Sequence, residues 1–292
     1  MSLRAIVRAL GGDLYDGGRR ANIPAPGHSA QDRSVSLLWE NGRVIIHSFG
    51  AADWRAVRDD LRARHLIDPR AVDAAPALAR PSLEQRLAIA RRLWRRAGPI
   101  SGTLGERHLR LRGIGRPLTE ALRFHPSLPI AVYRDGRAAG PALVARIDDP
   151  GGALTAVEVT YLDRTGRRTT ALRLSRKTVG VVPPGSAVRL DEAAASMVVA
   201  EGMATALSAS ERFGRPTWAL LSARNLAAWS PPPEVRDVLI AGDPGRPGER
   251  AAAALGDRLI RLAVASLAAF PRPPYGDWNE AAAELESEGE GG

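Results

Sequence analysis

The clearest periodic signals lie in the last hundred residues. Met197-Val198-Val199-Ala200 is a short uninterrupted apolar run closed by Glu201-Gly202, and Met203–Arg212 continues with helical spacing. Val238-Leu239-Ile240-Ala241 is a second such run. It is closed by Gly242-Asp243 and a glycine-rich turn, Pro244–Gly248, ahead of an alanine-rich helix expected over Gly248–Ala263. Apolar runs that each end in a carboxylate and turn into a helix predict a parallel α/β sheet. Ligands of such sheets sit at the carboxyl ends of the strands, so Glu201 and Asp243 are expected to face each other at one edge. Two carboxylates there are hard oxygen ligands suited to Mg²⁺ or Mn²⁺. Val264–Phe270 is expected to return as a further strand.

The front of the chain has a different texture. Met1–Leu10 reads as an amphipathic helix ended by Gly11-Gly12. Asn41-Gly42, between the apolar runs ending at Trp39-Glu40 and beginning at Val44, predicts a β-hairpin, because both central positions of a type I′ turn need positive φ. Asp53–Arg64 is expected to be a helix with Trp54, Val57 and Leu61 on one face. Residues 68–81, rich in Ala and Pro, read as a linker. Ser82–Ala97 is a strong helix with Ser82 as N-cap, Gln85 as its capping-box partner, and Leu83, Leu87, Ala90 and Trp94 as the apolar face. The other face carries Arg86, Arg91, Arg92, Arg95 and Arg96. It is suited to tracking phosphates and equally to being a solvated face. Pro141–Ile147, Leu154–Leu162 and Thr170–Leu174 are expected as strands separated by turns.

Composition narrows the classes. The chain has 292 residues, enough for two domains, and no apolar run approaches the ~20 residues of a membrane helix. With no signal-peptide core in Met1–Leu10 and no cysteine, the expected compartment is a bacterial-type cytoplasm, without disulfides or a cysteine zinc finger. Residues 191–292 hold 9 arginines against 15 carboxylates, a net of −6, whereas residues 1–190 hold 32 basic against 17 acidic side chains, a net of +15. A basic front suggests contact with a polyanion; the competing reading is a solvated arginine-rich surface. Lys177 is the only lysine among 41 basic residues, and its compact ammonium suits a phosphate contact, with chance retention as the rival reading.

The layout of residues 197–245 resembles the Toprim domain of topoisomerases, bacterial-type primases and some nucleases. There one strand ends in Glu-Gly and another in D-x-D. Glu201 matches the glutamate and Asp243 the first aspartate, but Gly245 stands at the second. Primase-type relatives carried by plasmids and phages read E-G-x-E-T-A-L-S. This chain reads Glu201-Gly202-Met203-Ala204-Thr205-Ala206-Leu207-Ser208, with Ala204 in place of the second acid. Pro26-Gly27-His28, Asp32-Arg33-Ser34-Val35-Ser36 and His47-Ser48-Phe49-Gly50 resemble the zinc-ribbon-like module of such primases without its cysteines. A two-histidine site at His28 and His47 falls short of a structural zinc site, so no zinc is expected. Gly102–Ile114 resembles the primase-helicase pattern G-T-x-A-x-x-Y-L-x-x-R-G-I, with Thr103 as helix cap and His108 at the tyrosine position, and Leu122–Pro126 follows it. Where relatives read I-H-R-T-x-L, this chain reads Val157-Glu158-Val159-Thr160-Tyr161-Leu162. The K-x-x-x-G element survives as Lys177–Gly180. Asp277 and Asn279 stand where relatives carry D-x-N. Asp277 is placed to approach the metal site; the preferred reading is instead that Asp277 or Asn279 caps the last helix.

The resemblance implies an α/β protein of several parts: a metal-free, zinc-ribbon-like β-hairpin module (1–67), the linker (68–81), a helical and β-rich connecting region (82–190), a Toprim-like Rossmannoid sheet flanked by helices (191–284) and an acidic tail expected to be disordered (285–292). It also implies a protein that binds single-stranded DNA or another nucleic acid in the replication of a plasmid or mobile element. Catalysis would be Mg²⁺- or Mn²⁺-dependent nucleotidyl transfer at Glu201 and Asp243. Nucleic acid would be contacted by Lys177, Arg91, Arg92, Arg95 and Arg96. A helicase on another chain is an expected partner, since no Walker A pattern is present. The alternatives are an inactive DNA-binding scaffold and, more weakly, a Toprim nuclease. Glu249 is considered as a stand-in for the missing aspartate.

Overall fold

A computed structural model describes residues 2–29, 32–40, 42–48, 53–68, 72–74, 81–133, 136–172 and 174–282. Asn41, most of the expected linker and the acidic tail therefore lie outside the described residues. The chain divides into two units, Met1–Arg80 and Pro81–Gly292.

The first unit holds α1 (Leu3–Leu10), β1 (Asp13–Tyr15), β2 (Arg20–Ile23), β3 (Val35–Glu40), β4 (Arg43–Ser48), α2 (Trp54–Ala63) and β5 (Val72–Ala74). Its sheet runs in chain order, antiparallel except for the parallel β4–β5 pair. The alternation of apolar residues on β3 and β4 buries Val35, Leu37, Val44 and Ile46 against Leu3, Ile6, Val57 and Leu61. The segment expected as linker thus contributes a sheet strand. His28 lies 3.2 Å from Asp32, whose carboxylate accepts hydrogen bonds from the Ala25 amide and the Ser34 hydroxyl and is held down at about 2, chiefly by the first of these.

The second unit is built on two sheets. The antiparallel sheet, in the order β10-β9-β8-β7-β6, comprises β6 (Gly98–Pro99), β7 (Leu122–Pro129), β8 (Ala139–Asp148), β9 (Leu154–Tyr161) and β10 (Arg176–Gly180). On one face lies α3 (Leu83–Arg96), capped by reciprocal Ser82–Gln85 hydrogen bonds of 3.1 and 2.9 Å. It buries Leu93 and Trp94 against Val157, Val159 and Tyr161. Leu83, expected on this face, is 61% exposed. Leu87 and Ile89 are half-buried, and the fully buried residues of α3 are Ala90, Leu93 and Trp94. The other face carries α4 (Leu104–Arg110), capped by Thr103. Thr170–Leu174, expected as a strand, forms bends and turns among its described residues. Leu174 is 53% exposed and has no core to enter, and Arg176–Gly180 takes the place beside β9 instead.

The other sheet follows the order β11-β13-β12-β14-β15: β11 (Val188–Arg189), β12 (Ser196–Ala200), β13 (Thr217–Ala219), β14 (Asp237–Ala241) and β15 (Ala265–Ala269). All are parallel except β11. Helix α5 (Met203–Phe213) covers one face, while α6 (Ala223–Ala228) and α7 (Arg246–Arg261) belong to the cluster on the other. This is the α/β sheet expected from the two apolar runs. Its α5 face and the α4 face of the antiparallel sheet share a single core, with Leu109, Ile114 and Leu143 meeting Val198, Leu207 and Leu239. Among the described residues no helix is long and apolar enough to cross a membrane.

The offset of α3 gives a direct test. Leu93→Ala removes a buried side chain and should cost about 2–4 kcal/mol, whereas Leu83→Ala should cost under about 0.5 kcal/mol. Equal losses in denaturant titrations would mean that α3 packs in the register read from the sequence.

Candidate functional site

Strands β12 and β14 are direct neighbours with Ala200 opposite Ala241. The chain leaves both strands at the same edge, so Glu201 and Asp243 stand beyond adjacent carboxyl ends. Glu201 enters α5 through Gly202 as N-cap. Asp243 enters α7 through a tight turn: a Cβ on Gly248 would stand 2.2 Å from the Asp243 carbonyl oxygen, which only glycine avoids. Both carboxylates line a cavity of about 240 Å³ with Asp277. Asp277 also accepts the Glu280 amide at 2.8 Å at the start of the last helical turn. This side chain therefore caps the helical turn, as the preferred reading of the sequence had it, and lines the cavity as well.

Asp243 is the unusual member. Its Oδ1 is buried and has no hydrogen-bond partner. Burial, and then the charges of Glu201 and Asp277, push its carboxyl up to about 6. A carboxylate desolvated without a donor beside two like charges is a position suited to a cation.

The opposite wall is basic. Arg112, just past α4, donates from Nε to Asn279 Oδ1 at 2.7 Å, while Asn279 Nδ2 donates to the Arg112 carbonyl at 2.7 Å and to Ser208 Oγ at 2.9 Å. Asn279 is therefore a tie between segments, where the sequence suggested a cap. Arg168 and Arg176 line the same cavity, with Glu158 3.7 Å from Arg176. Burial pushes Glu158 up against the opposing pull of Arg176. His108, at the tyrosine position of the resemblance, completes this wall.

The residues singled out from sequence divide. Glu201 and Asp243 come together. Lys177 does not join them: Arg176 pairs with Thr160 and Lys177 with Val159, so Lys177 falls on the α3 side of the sheet. There it donates to the Ile130 carbonyl at 2.5 Å, with its ammonium 5.0 Å from the Tyr161 ring. Arg91, Arg92, Arg95 and Arg96 are exposed on α3, across the antiparallel sheet from the cavity, and Arg91 donates to the Leu154 carbonyl at 3.5 Å. Glu249 turns back to the Gly245 amide at 3.2 Å and does not line the cavity. Arg112 sits in the R-G-I landmark and was legible there; Arg168 and Arg176 carry no sequence signal among 40 arginines. A larger cavity, about 1060 Å³, lies by β11 and residues 229–234. Its arginines are already engaged, Arg146 by Asp148 at 2.7 Å and Arg189 by the carbonyls of Asp149 and Pro150 at 2.9 Å.

Residues 196–287 match the Toprim domain family, and residues 84–190 match a domain of unknown function, DUF7146. No protein of curated function matches the chain. Among solved structures, the chain is similar to the zinc-binding and RNA polymerase domains of the Aquifex aeolicus primase, at 14% identity over 99% of this chain and 81% of that one, with a TM-score of 0.47. It is similar to a DNA primase domain from Pseudomonas aeruginosa at 12% identity, covering 69% and 75% of the two chains, with a TM-score of 0.44. The corresponding values for the primase fragment of the Bacteriophage T7 primase-helicase protein are 16%, 57%, 64% and 0.37.

Asp243 supplies a pH-dependent test. Its folded carboxyl titrates above its ordinary value, so the charged form costs stability: nothing is lost below pH 4, the cost grows towards pH 6, and it stays constant above. Asp243→Asn should therefore be more stable than the parent in chelator-containing buffer at pH 7.5, by about 1 kcal/mol after allowing for solvent screening of a half-exposed group. The gain should close towards pH 4. A gain independent of pH would mean that Asp243 carries no such burden.

Proposed function

We propose that this Toprim-domain protein is a primase-like nucleotidyltransferase that acts on single-stranded DNA in replication, at the cavity between its acidic and basic walls. The observation that carries the reading is Asp243, whose buried oxygen has no partner and feels the charges of Glu201 and Asp277 in a cavity that Arg112, Arg168 and Arg176 also line. A phosphorylated substrate and a cation together neutralise both walls, which neither ligand does alone.

The residues fit a divalent cation. Glu201 and Asp243 would hold Mg²⁺ or Mn²⁺, with Asp277 lining the same cavity. Among the described residues no three acidic or histidine side chains are gathered closely enough to cage an ion by themselves. That suits Mg²⁺, which keeps waters and takes substrate phosphate oxygens beside one or two carboxylates. When bound, the ion supplies positive charge to a reacting phosphoryl group. The protein's own groups do the rest. Arg112, held by Asn279, and Arg168 and Arg176 orient phosphate oxygens and offset charge developing on them. Glu201 stands at a strand end, poised to accept a proton from an attacking hydroxyl. The exposed arginines of α3 are available to track the backbone of a strand, and a helicase on a separate chain is the partner implied.

A second reading, a scaffold that holds DNA without catalysis, is favoured by Gly245. Its backbone at φ +99° leads into α7 where relatives carry the second aspartate.

Primer synthesis on single-stranded DNA with labelled nucleotides, in Mg²⁺ and then Mn²⁺, separates the two. Catalysis predicts incorporation that falls at least about 100-fold in Glu201→Ala and about 10- to 100-fold in Arg176→Ala. No incorporation in either metal, beside salt-sensitive binding of the same DNA, would leave the scaffold reading in place of the enzyme.

A further inference from the structure

His108 lines the cavity but has no task in the scheme above. Its Nδ1 lies 2.9 Å from the Gly166 carbonyl oxygen. A carbonyl only accepts, so Nδ1 carries the hydrogen and Nε2 is the ring's remaining acceptor. The carbonyl is firmly held. The Asp163 side chain accepts the Thr165 and Arg167 amides at 2.8 and 3.0 Å, folding the turn over α4. A Cβ on Gly166 would stand 3.1 Å from the Arg107 side chain, which fixes how closely that turn sits. His108 is 8% exposed, and its cavity neighbours include Arg112 and Arg168.

We propose that His108 is a phosphate-binding residue that takes a proton from water onto Nε2 as an anionic phosphoryl group enters beside Arg112 and Arg168, so that anion binding by this site is proton-coupled. The inference rests on the reading of the basic wall as a phosphate site. In the free protein burial, then the charges of Arg112 and Arg168, push the imidazole below its ordinary value and favour its neutral form, against the Gly166 hydrogen bond and Asp163. On its own helix, Glu106 and Arg110 pair with each other at 3.3 Å, and Arg107 packs under the turn. Across the cavity Glu158 is paired with Arg176, and Glu201, Asp243 and Asp277 are the carboxylates that line the same space. A bound phosphoryl dianion cancels the two arginine charges that disfavour the imidazolium. It also offers an oxygen to the new Nε2–H, a charge-assisted donor. A tyrosine, as in the resembling families, can donate its hydroxyl hydrogen but cannot gain a positive charge. The coupling is a property of this chain's histidine.

Linkage fixes the direction. Affinity rises as pH falls through the bound-state midpoint, by up to about tenfold per pH unit, and is flat above it. The test uses inorganic sulfate, a dianion whose charge is constant across this range, on the full chain. The chain has 5 histidines, so long-range ¹H–¹⁵N spectra with His108→Gln as the assignment control resolve the ring. The expected result is a His108 midpoint below 6.5 without sulfate. It should rise by on the order of one pH unit at saturating sulfate, and sulfate affinity should depend less steeply on pH in His108→Gln than in the parent, the remaining dependence coming from Asp243 in the same cavity. Calorimetry reports binding independently of the ring. Sulfate that binds while the His108 midpoint stays fixed overturns this inference alone. Sulfate that does not bind overturns it together with the phosphate reading of the basic wall.

Discussion

The site depends on the clasp between Arg112 and Asn279. Asn279 is buried at 4% exposure and spends both ends of its amide on Arg112, with a third bond to Ser208 on α5. A hydrogen bond to a charged group contributes about 1.5–3 kcal/mol, and stranding a buried guanidinium costs more. Geometry is the larger effect. Two residues before Asn279, the Asp277 carboxylate faces the cavity while capping the helical turn that contains Asn279. One short segment thus sets an acidic group of one wall and a basic group of the other, so the antiparallel sheet's landmark and the Toprim sheet cannot shift without opening the site.

The walls also tune each other. Asp277 raises the Asp243 carboxyl and supports the charge of Arg112 against burial. Glu158 and Arg176 repeat the arrangement on β9 and β10. A site of this kind is held at the expense of stability.

Much of this architecture was legible in the sequence. Continuous apolar runs flanked by Gly and a carboxylate have few solutions besides buried parallel strands, so β12, β14 and the positions of Glu201 and Asp243 followed from residue order. The Ser82–Gln85 capping box was equally readable because it is local. What failed was what depends on distant partners. The face of α3 is set by where β9 lies, and Leu83 misses it. Thr170–Leu174 has strand-like residues but no neighbour to pair with, whereas Arg176–Gly180 has β9. Arg168 and Arg176 were hidden for a compositional reason: where nearly every cation is arginine, neither stands out until the fold gathers them beside Arg112. Lys177 stood out by its rarity, but rarity of type carried no information about the side of the strand on which it lies. Asp277 showed that a cap and a site residue are not exclusive readings.

The turn at Gly245 bears on how such a protein can change. With φ at +99° and its amide on the Glu249 carboxylate, this position has settled into a backbone shape that side chains resist, although the space around it is open. An acid at 245 is therefore not one codon away in any useful sense: the loop would have to refold and release Glu249 before the new carboxylate could point anywhere productive. The constraint at this position is thus one of backbone shape and not of room: what keeps a carboxylate out of it is the turn that the chain has adopted there.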